Sequence, residues 1–263
     1  MARYCPLFSG SSGNCLYVGS ADGGILIDAG VSARRIETAL RDRGIDPASI
    51  RAVLVTHEHS DHVAGLRVLT KRYPIPVFAS QGTLEELLRA GRLGADNAFA
   101  VIDEQGIEVA GMEVTAFRTP HDSAESLGFC IHTADDRRIA VATDMGYMPP
   151  LVRQALSGCD LVYIESNHDV RMLENGPYPY VLKKRILAKT GHLSNEACAC
   201  ELPALARTGT TRFVLAHLSV ENNLPDLAFI TARSALEAEG MREGTDYLLQ
   251  VAERVSTQKV NVF

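Results

Sequence analysis

Three histidines and an aspartate lie within six residues of the chain, at His57, His59, Asp61 and His62. Imidazole nitrogens and carboxylate oxygens are donors suited to Zn²⁺, Mn²⁺ or iron. The H-x-H pair can face one ion while Asp61 and His62 face a second. A helical H-E-x-x-H protease motif is excluded, because Asp61 stands where that motif requires its second histidine. The spacing therefore predicts a binuclear metal centre.

Four further polar residues favour this interpretation over a plain turn in which Asp61 only caps the following helix. Each follows a short apolar run that is typical of a strand. Because strand ends along one edge of a sheet can converge, such residues can contribute to a single site. They are Asp28, His121, Asp144 and His217.

The H-x-H-x-D-H element, followed by an isolated histidine, an isolated aspartate and a last histidine, resembles the signature of the metallo-β-lactamase superfamily. The resemblance implies two divalent ions, Zn²⁺ or Mn²⁺, with iron as a third candidate. It also implies that Asp28 holds the histidine-rich loop by hydrogen bonds. The implied ligands are His57, His59 and His121 for the first ion, Asp61, His62 and His217 for the second, and Asp144 as the bridge.

A second element bears on the substrate class. His192, Ser194 and Asn195 resemble the His-x-Ser/Thr element of tRNA 3′-processing endonucleases and related phosphodiesterases, in which a glutamate orients the histidine. The corresponding glutamate here is Glu165. An imidazolium held by a carboxylate can protonate a leaving alkoxide near neutral pH. Alternatively, Ser194 or Asn195 is only a helix cap and His192 lies on the surface.

Longer stretches extend the resemblance over nearly the whole chain to the YycJ/WalJ group of bacterial nucleases. They are residues 8–14, 166–169, 175–186, 191–195 and 216–223. The resemblance implies a 5′-to-3′ DNA exonuclease with a role in DNA repair. A metal-activated hydroxide would attack the phosphodiester, with Asp61, His192 and Glu165 as the catalytic residues. Nucleic acid, with DNA favoured, is the expected partner.

Other functions stay open at this point. The same site would suit a small or cyclic phosphodiester, or RNA processing. A thioester or lactone hydrolase is favoured if His192 lies far from the metal ligands, and a regulatory protein of a cell-wall sensor system is the remaining alternative.

Contacts to the substrate are expected from small, polar and basic residues around the motifs. Tyr178 and Tyr180 can stack bases beside a basic stretch that meets phosphates. The alternative is a solvated helix face with the tyrosines in the core, and a structural role for His168. The candidate contacts are Ser12, Asn14, His168, Ser194, Asn195, Lys183, Lys184 and Arg185.

Composition limits these interpretations. The net charge of −6 over 263 residues argues against binding of nucleic acid through the overall charge of the protein, although a local basic patch is compatible with it. The six cysteines form no C-x-x-C pair, which predicts buried free thiols in a reducing compartment. The chain shows neither an apolar run of membrane-spanning length nor the apolar start of a signal peptide. A soluble, cytoplasmic protein without membrane contact is therefore expected.

The elements that must position these residues alternate along the chain. Residues 15–18 and 25–27 predict a β-hairpin. The other predicted strands are 52–55, 77–79, a meander over 98–142, 161–164, 212–216 and 247–251. The predicted helices are 32–43, 63–72, 83–90, 149–156, 178–189, 195–207 and 224–239. This order favours one α/β domain over residues 1–263, an αββα sandwich with helices on the outer faces of two packed sheets, over a doubly wound sheet.

Overall fold

Two seven-stranded β-sheets pack face to face in the computed structural model, which describes residues 1–263. The first sheet has the order β14-β1-β2-β3-β4-β5-β6 and the second β13-β12-β11-β10-β9-β8-β7. The strands of the first sheet are β1 (Arg3–Phe8), β2 (Cys15–Gly19), β3 (Gly24–Ile27), β4 (Ile50–Leu54), β5 (Val77–Ala79), β6 (Phe99–Val101) and β14 (Asn261–Val262). Those of the second are β7 (Ile107–Val109), β8 (Met112–Arg118), β9 (Leu127–Thr133), β10 (Arg138–Ala142), β11 (Leu161–Glu165), β12 (Arg212–Ala216) and β13 (Leu248–Val251).

Helices cover the outer faces of both sheets. One buried apolar cluster lies between the two sheets. A second lies between the first sheet and its helices, and a third lies between the second sheet and its helices. This layering confirms the predicted αββα sandwich. The helices are α1 (Ala33–Arg41), α2 (Ser60–Val63), α3 (Leu66–Arg72), α4 (Gln81–Arg89), α5 (Pro150–Leu156), α6 (Val170–Asn175), α7 (Tyr180–Ile186), α8 (Asn195–Arg207) and α9 (Pro225–Ala238).

Strand direction determines where the polar loops lie. Strands β3 to β6 are parallel to one another, as are β10 to β13. Strand β1 runs in the direction of β3 because both are antiparallel to β2, and β8 runs with β10 because both are antiparallel to β9. The segments that follow all these strands therefore leave each sheet at the edge where its parallel strands end, here called the carboxyl edge.

The predicted continuous helix over residues 63–72 is wrong, because the chain forms two short helices, α2 and α3. Gly65 separates them and donates a hydrogen bond to the carbonyl oxygen of Ala29. A Cβ atom at Gly65 would lie 2.1 Å from the carbonyl oxygen of Val31. Close packing against the segment after β3 therefore draws the backbone out of a single helix.

Sequence patterns also missed β1, α6 and β14, while β5, α8 and β12 match their predicted bounds. All six cysteines are free as predicted, but Cys130 is half-buried and Cys200 exposed. None of the helices is long and apolar enough to cross a membrane. The assignment of residues 1–263 to one domain stays a proposal, supported by the apolar cluster shared between the two sheets.

Candidate metal centre and active site

His57, His59 and His121 face one another at the carboxyl edge. Their metal-binding atoms lie within 4.8 Å of one another, and His121 Nε2 is 3.3 Å from His59 Nδ1. The Nδ1 atom of His57 lies 3.0 Å from the Thr56 hydroxyl and that of His121 lies 3.2 Å from the Gly191 carbonyl oxygen. Buried Nε2 of His57 has no hydrogen-bond partner. A metal ion would supply the partner that these converging nitrogens lack.

Asp61, His62 and His217 form a second group beside the first. The Asp61 carboxylate lies 3.5 Å from Nε2 of both histidines. Nδ1 of His62 contacts the Asp28 carboxylate at 2.7 Å, which leaves Nε2 directed at the group. Asp28 therefore forms the expected hydrogen bond to the histidine-rich loop, and its role in orienting a metal ligand stays a prediction.

Asp144 lies between the two groups. One carboxylate oxygen is 3.4 Å from His62 Nε2, and the other is 3.8 Å from His121 Nε2. The first oxygen is buried and has no hydrogen-bond partner. This position suits a bridging carboxylate. Each group combines donors that follow strands of the first sheet with a donor from the second sheet.

The ionisation of these groups follows from burial and from their mutual contacts. Burial opposes the charged form of His62, but the Asp144 carboxylate and its acidic neighbours outweigh burial and raise the pKa of His62 well above its usual range. Burial acts to raise the pKa of Asp61, yet His62 and His217 hold it well below its usual range. Burial and adjacent imidazoles lower the pKa of His57. Carboxylates therefore surround a centre that attracts positive charge, as a cation site requires.

Three residues of this centre have left-handed backbone conformations. The φ angles are 63° at Asp28, 58° at Asp144 and 54° at His217. Such angles are uncommon for residues other than glycine, and each costs roughly 1–3 kcal/mol. Asp28 and His217 directly follow a strand, and Asp144 lies two residues beyond the end of β10, so the sharp change of direction turns their side chains into the site.

Glu165 and His192 form a hydrogen-bonded pair next to the proposed ligands. His192 Nδ1 lies 2.8 Å from the buried Glu165 carboxylate and 3.6 Å from Asp144. The same Glu165 oxygen lies 2.8 Å from Nδ1 of His217, and the other accepts hydrogen bonds from the backbone N–H groups of Met145 and Leu193. Burial acts to raise the pKa of Glu165, but the two imidazoles lower it overall. Glu165 is thus a buried carboxylate whose two oxygens both accept contacts, and its expected role in orienting His192 stays a prediction.

A cavity of about 350 Å³ opens over this centre and has no hydrophobic lining residue. Three of its lining residues, Ser11, Ser60 and Arg185, lie outside the proposed ligands and the Glu165–His192 pair. Arg185 makes two hydrogen bonds to the Asp122 carboxylate, at 2.5 and 2.9 Å. The residues that line the cavity are Ser11, His59, Ser60, Asp61, Asp144, Arg185, His192 and His217.

The structure does not support direct substrate contacts by Asn14, His168 or Asn195, because all three side chains are buried away from this cavity. Asn14 instead lies 3.1 Å from His62 Nε2, and its amide oxygen accepts a hydrogen bond from the Gly10 N–H group. Asn195 bonds to Ser166 and Asn223. These residues are therefore part of the framework behind the site.

The other predicted contacts have different positions. The Ser194 hydroxyl caps α8 by accepting a hydrogen bond from the Ala197 N–H group. Ser12 is exposed, but its neighbour Ser11 lines the cavity. The two serine contacts to substrate stay predictions.

The basic helix α7 places its three cations differently. Lys183 donates a hydrogen bond to the Glu174 carbonyl oxygen, and the Lys184 ammonium lies 5.6 Å from the centre of the Tyr180 ring. Only Arg185 lines the cavity. Tyr180 is 73% exposed and Tyr178 half-buried, so Tyr180 is available for stacking rather than part of the core.

Comparison with known proteins gives the family. The model of the Beta-lactamase superfamily domain matches residues 24–218. The chain belongs to the metallo-β-lactamase superfamily. Its curated relatives include Exodeoxyribonuclease YycJ of Bacillus anthracis, 37% identical over 92% of each chain, and Exodeoxyribonuclease WalJ of Streptococcus pneumoniae, 34% identical over 93% of this chain and 92% of WalJ. The family and the curated relatives show that the chain is a metallo-hydrolase, and its converging histidine and carboxylate donors suit a divalent metal.

The superfamily fold is also seen in a solved structure. The metallo-β-lactamase fold protein YhfI of Bacillus subtilis has a TM-score of 0.73 at 14% identity, with 97% of this chain and 98% of YhfI covered. At that identity the likeness concerns the fold alone.

Sequence reasoning missed the specific contacts of two supporting residues in this superfamily member. The Thr56 hydroxyl donates to Asp28, and the Ser9 hydroxyl accepts a hydrogen bond from the His217 N–H group at 2.9 Å. Thr56 lies directly before the histidine motif, which is a usable signal. Ser9 is 208 residues from His217, and nothing in the local sequence connects them.

Proposed function

We propose that the chain is a metal-dependent exonuclease that digests DNA from the 5′ end and has a role in DNA repair. The Glu165–His192 pair carries this proposal, because it places a proton donor at the cavity, 3.6 Å from the proposed bridging Asp144. The exodeoxyribonucleases similar to the chain over 92% of its length support a DNA substrate. The 5′-to-3′ polarity and the repair role rest on the resemblance to the YycJ/WalJ group.

In this proposal the converging donors hold two divalent ions, Zn²⁺ or Mn²⁺, with Asp144 as the shared ligand. Bound ions would lower the pKa of water to about 7 and offset the charge of the phosphate. Asp61, partly exposed at the cavity, would orient the attacking water. Glu165 fixes His192 through Nδ1, which leaves Nε2 to protonate the leaving alkoxide. Arg185 would contact a phosphate oxygen from the rim of the cavity.

The position of His192 also bears on the alternatives. A thioester or lactone hydrolase is favoured if His192 lies far from the metal ligands, and its position beside Asp144 supports a phosphodiesterase instead. A regulatory binding protein has no need of a buried carboxylate that orients a proton donor. Small phosphodiesters and RNA remain the competing substrates.

A nuclease assay tests the proposal. Metal-stripped protein is reloaded with Mn²⁺ or Zn²⁺ and given single- and double-stranded DNA and RNA, labelled at the 5′ or the 3′ end. Early release of labelled mononucleotide from 5′-labelled DNA is expected. Digestion of RNA alone, or hydrolysis of thioesters without any phosphodiesterase activity, would contradict the proposal.

Removal of the positive charges of α7 should weaken binding of long substrates. With Lys183, Lys184 and Arg185 all replaced by alanine, we expect a higher KM for oligonucleotides and a log–log salt slope smaller by about 0.7 for each lost phosphate contact. Because Arg185 lines the cavity, Arg185→Ala alone should also raise KM for a dinucleotide diester. Replacement of the two lysines should affect long substrates only.

A charge-matched control is available at the opposite edge. Lys71, Arg89 and Arg92 are exposed and lie at or beyond the ends of α3 and α4, which lead from one parallel strand to the next and so end away from the carboxyl edge. Their triple alanine variant removes the same charge. Equal salt slopes for the two triple variants would show that α7 is only a solvated face.

A further inference from the structure

A second cavity, of about 270 Å³, lies near the carboxyl edge between α1 and the segment that follows β13. Arg34 and Arg35 line it from the first turn of α1, Val255 lines it from the other side, and Phe8 lies between them. This group of four residues is called the arginine groove here. It contains none of the proposed metal ligands.

The arginine groove is joined to the metal centre by one short loop. Phe8 lines the groove, Ser9 accepts a hydrogen bond from the His217 N–H group, and Ser11 lines the metal cavity. The segment leading into α1 touches the centre as well. A Cβ atom at Gly30 would lie 1.7 Å from the Asp61 carbonyl oxygen. A polymer that leaves the metal cavity over this loop therefore meets the groove next.

The charges of the groove have no partner within the chain. Arg34 and Arg35 are exposed, and no carboxylate lies within salt-bridge distance of either. The Arg35 guanidinium is 4.7 Å from the centre of the Phe8 ring, which orders the side chain while leaving its N–H groups free. Arg254, also exposed and unpaired, precedes Val255. The acidic Asp42 lines the far end of the cavity, about 12 Å along α1 from Arg34.

Arg43, unlike Arg34 and Arg35, is a structural arginine with partners inside the chain. It lines the same cavity, but it donates hydrogen bonds to the carbonyl oxygens of Ala39 and Ser256 and lies 3.1 Å from the Cys5 sulfur. Its donors are therefore satisfied internally. Unpaired guanidinium groups on a chain of net charge −6 point instead to an external anion.

We propose that the arginine groove binds the backbone phosphates of the nucleic-acid strand that continues beyond the metal cavity. The inference rests on the proposed nuclease function and extends it to a second contact region, across the Ser9–Ser11 loop from the cavity. Guanidinium groups bind phosphate oxygens with paired hydrogen bonds, and neutralised phosphates release counterions. The groove thus makes the enzyme favour polymers over short diesters.

The test compares substrates of different length. In the Arg34→Ala/Arg35→Ala variant, KM for a 20-nucleotide strand is expected to rise relative to KM for a dinucleotide, with a salt slope smaller by about 1.4 for two lost contacts. Across a fourfold increase in salt, that difference in slope corresponds to about sevenfold in KM. Arg34→Glu should act in the same direction while keeping the Arg35–Phe8 contact, so a folding defect caused by exposing Phe8 is distinguishable.

The control replaces Arg138 and Arg212 by alanine at the opposite edge. Arg212 likewise lies over a phenylalanine ring, 5.0 Å from the centre of Phe263, so it matches the Arg35–Phe8 pair away from the site. An unchanged ratio of KM values and an unchanged salt slope in both groove variants would overturn the inference. If the parent digests no nucleic acid in any metal, the proposed function fails instead.

Discussion

His217→Ala is expected to lower the metal content from close to two ions per chain to close to one. His217 is the donor that the second sheet contributes to the Asp61–His62 group. Loss of one ion should reduce phosphodiester turnover by roughly 10³-fold or more, equivalent to about 4 kcal/mol of lost charge stabilisation. Elemental analysis after metal loading and dialysis measures the content, and a steady-state assay measures turnover.

The control for this experiment is His132→Ala. His132 lies on β9 away from the proposed ligands, is half exposed, and its ring nitrogens lie 3.6 Å from Glu113 and 2.8 Å from Asp136. Its removal should leave both metal content and activity at the parent level. A parent protein that never exceeds one ion, with no further loss in His217→Ala, would reject the binuclear centre.

His192→Ala should leave metal content intact and lower turnover of nucleic acid by about 10²-fold or more, the scale of a lost general acid. The two ligand groups do not include His192, which is why metal should stay bound. Hydrolysis of bis(p-nitrophenyl) phosphate should fall much less, because p-nitrophenolate leaves without a proton. The ratio of the two activities is the measurement.

Glu165→Gln provides an independent check of this role. An amide cannot stabilise the imidazolium as a buried carboxylate does, so the same substrate ratio should shift in the same direction. Since Glu165 also contacts His217, metal content must be measured in parallel. Equal losses on both substrates in His192→Ala would show that His192 holds the phosphate or the framework instead of donating a proton.

The sequence predicted those site residues that lie close together along the chain or that follow a predicted strand. His57, His59, Asp61 and His62 lie within six residues, in the loop after β4 and in the short helix α2, so their spacing alone implies convergence. Asp144 required the additional assumption that strand ends meet at one edge, and the strand directions satisfy it. The left-handed backbone at this residue left no mark in the sequence, because it depends on where the chain must turn.

Features that depend on distant partners escaped prediction. Arg185 and Asp122 are 63 residues apart, and only packing shows that this arginine, of the three cations considered, reaches the cavity. The burial of His168 and Asn195 likewise follows from packing of the second sheet against α8. Strand β14 has two residues, which is too short for any periodicity.

The mixed origin of each ligand group has a consequence for the order of assembly. Neither group is complete until the two sheets have docked, since His121 and His217 come from one sheet and the histidine motif from the other. An ion that needs all these donors can stabilise only the docked arrangement, and its binding free energy adds to the resistance of the sheets to separation. Bound metal would therefore stabilise the folded state only after the two sheets have docked, so metal occupancy would depend on complete folding.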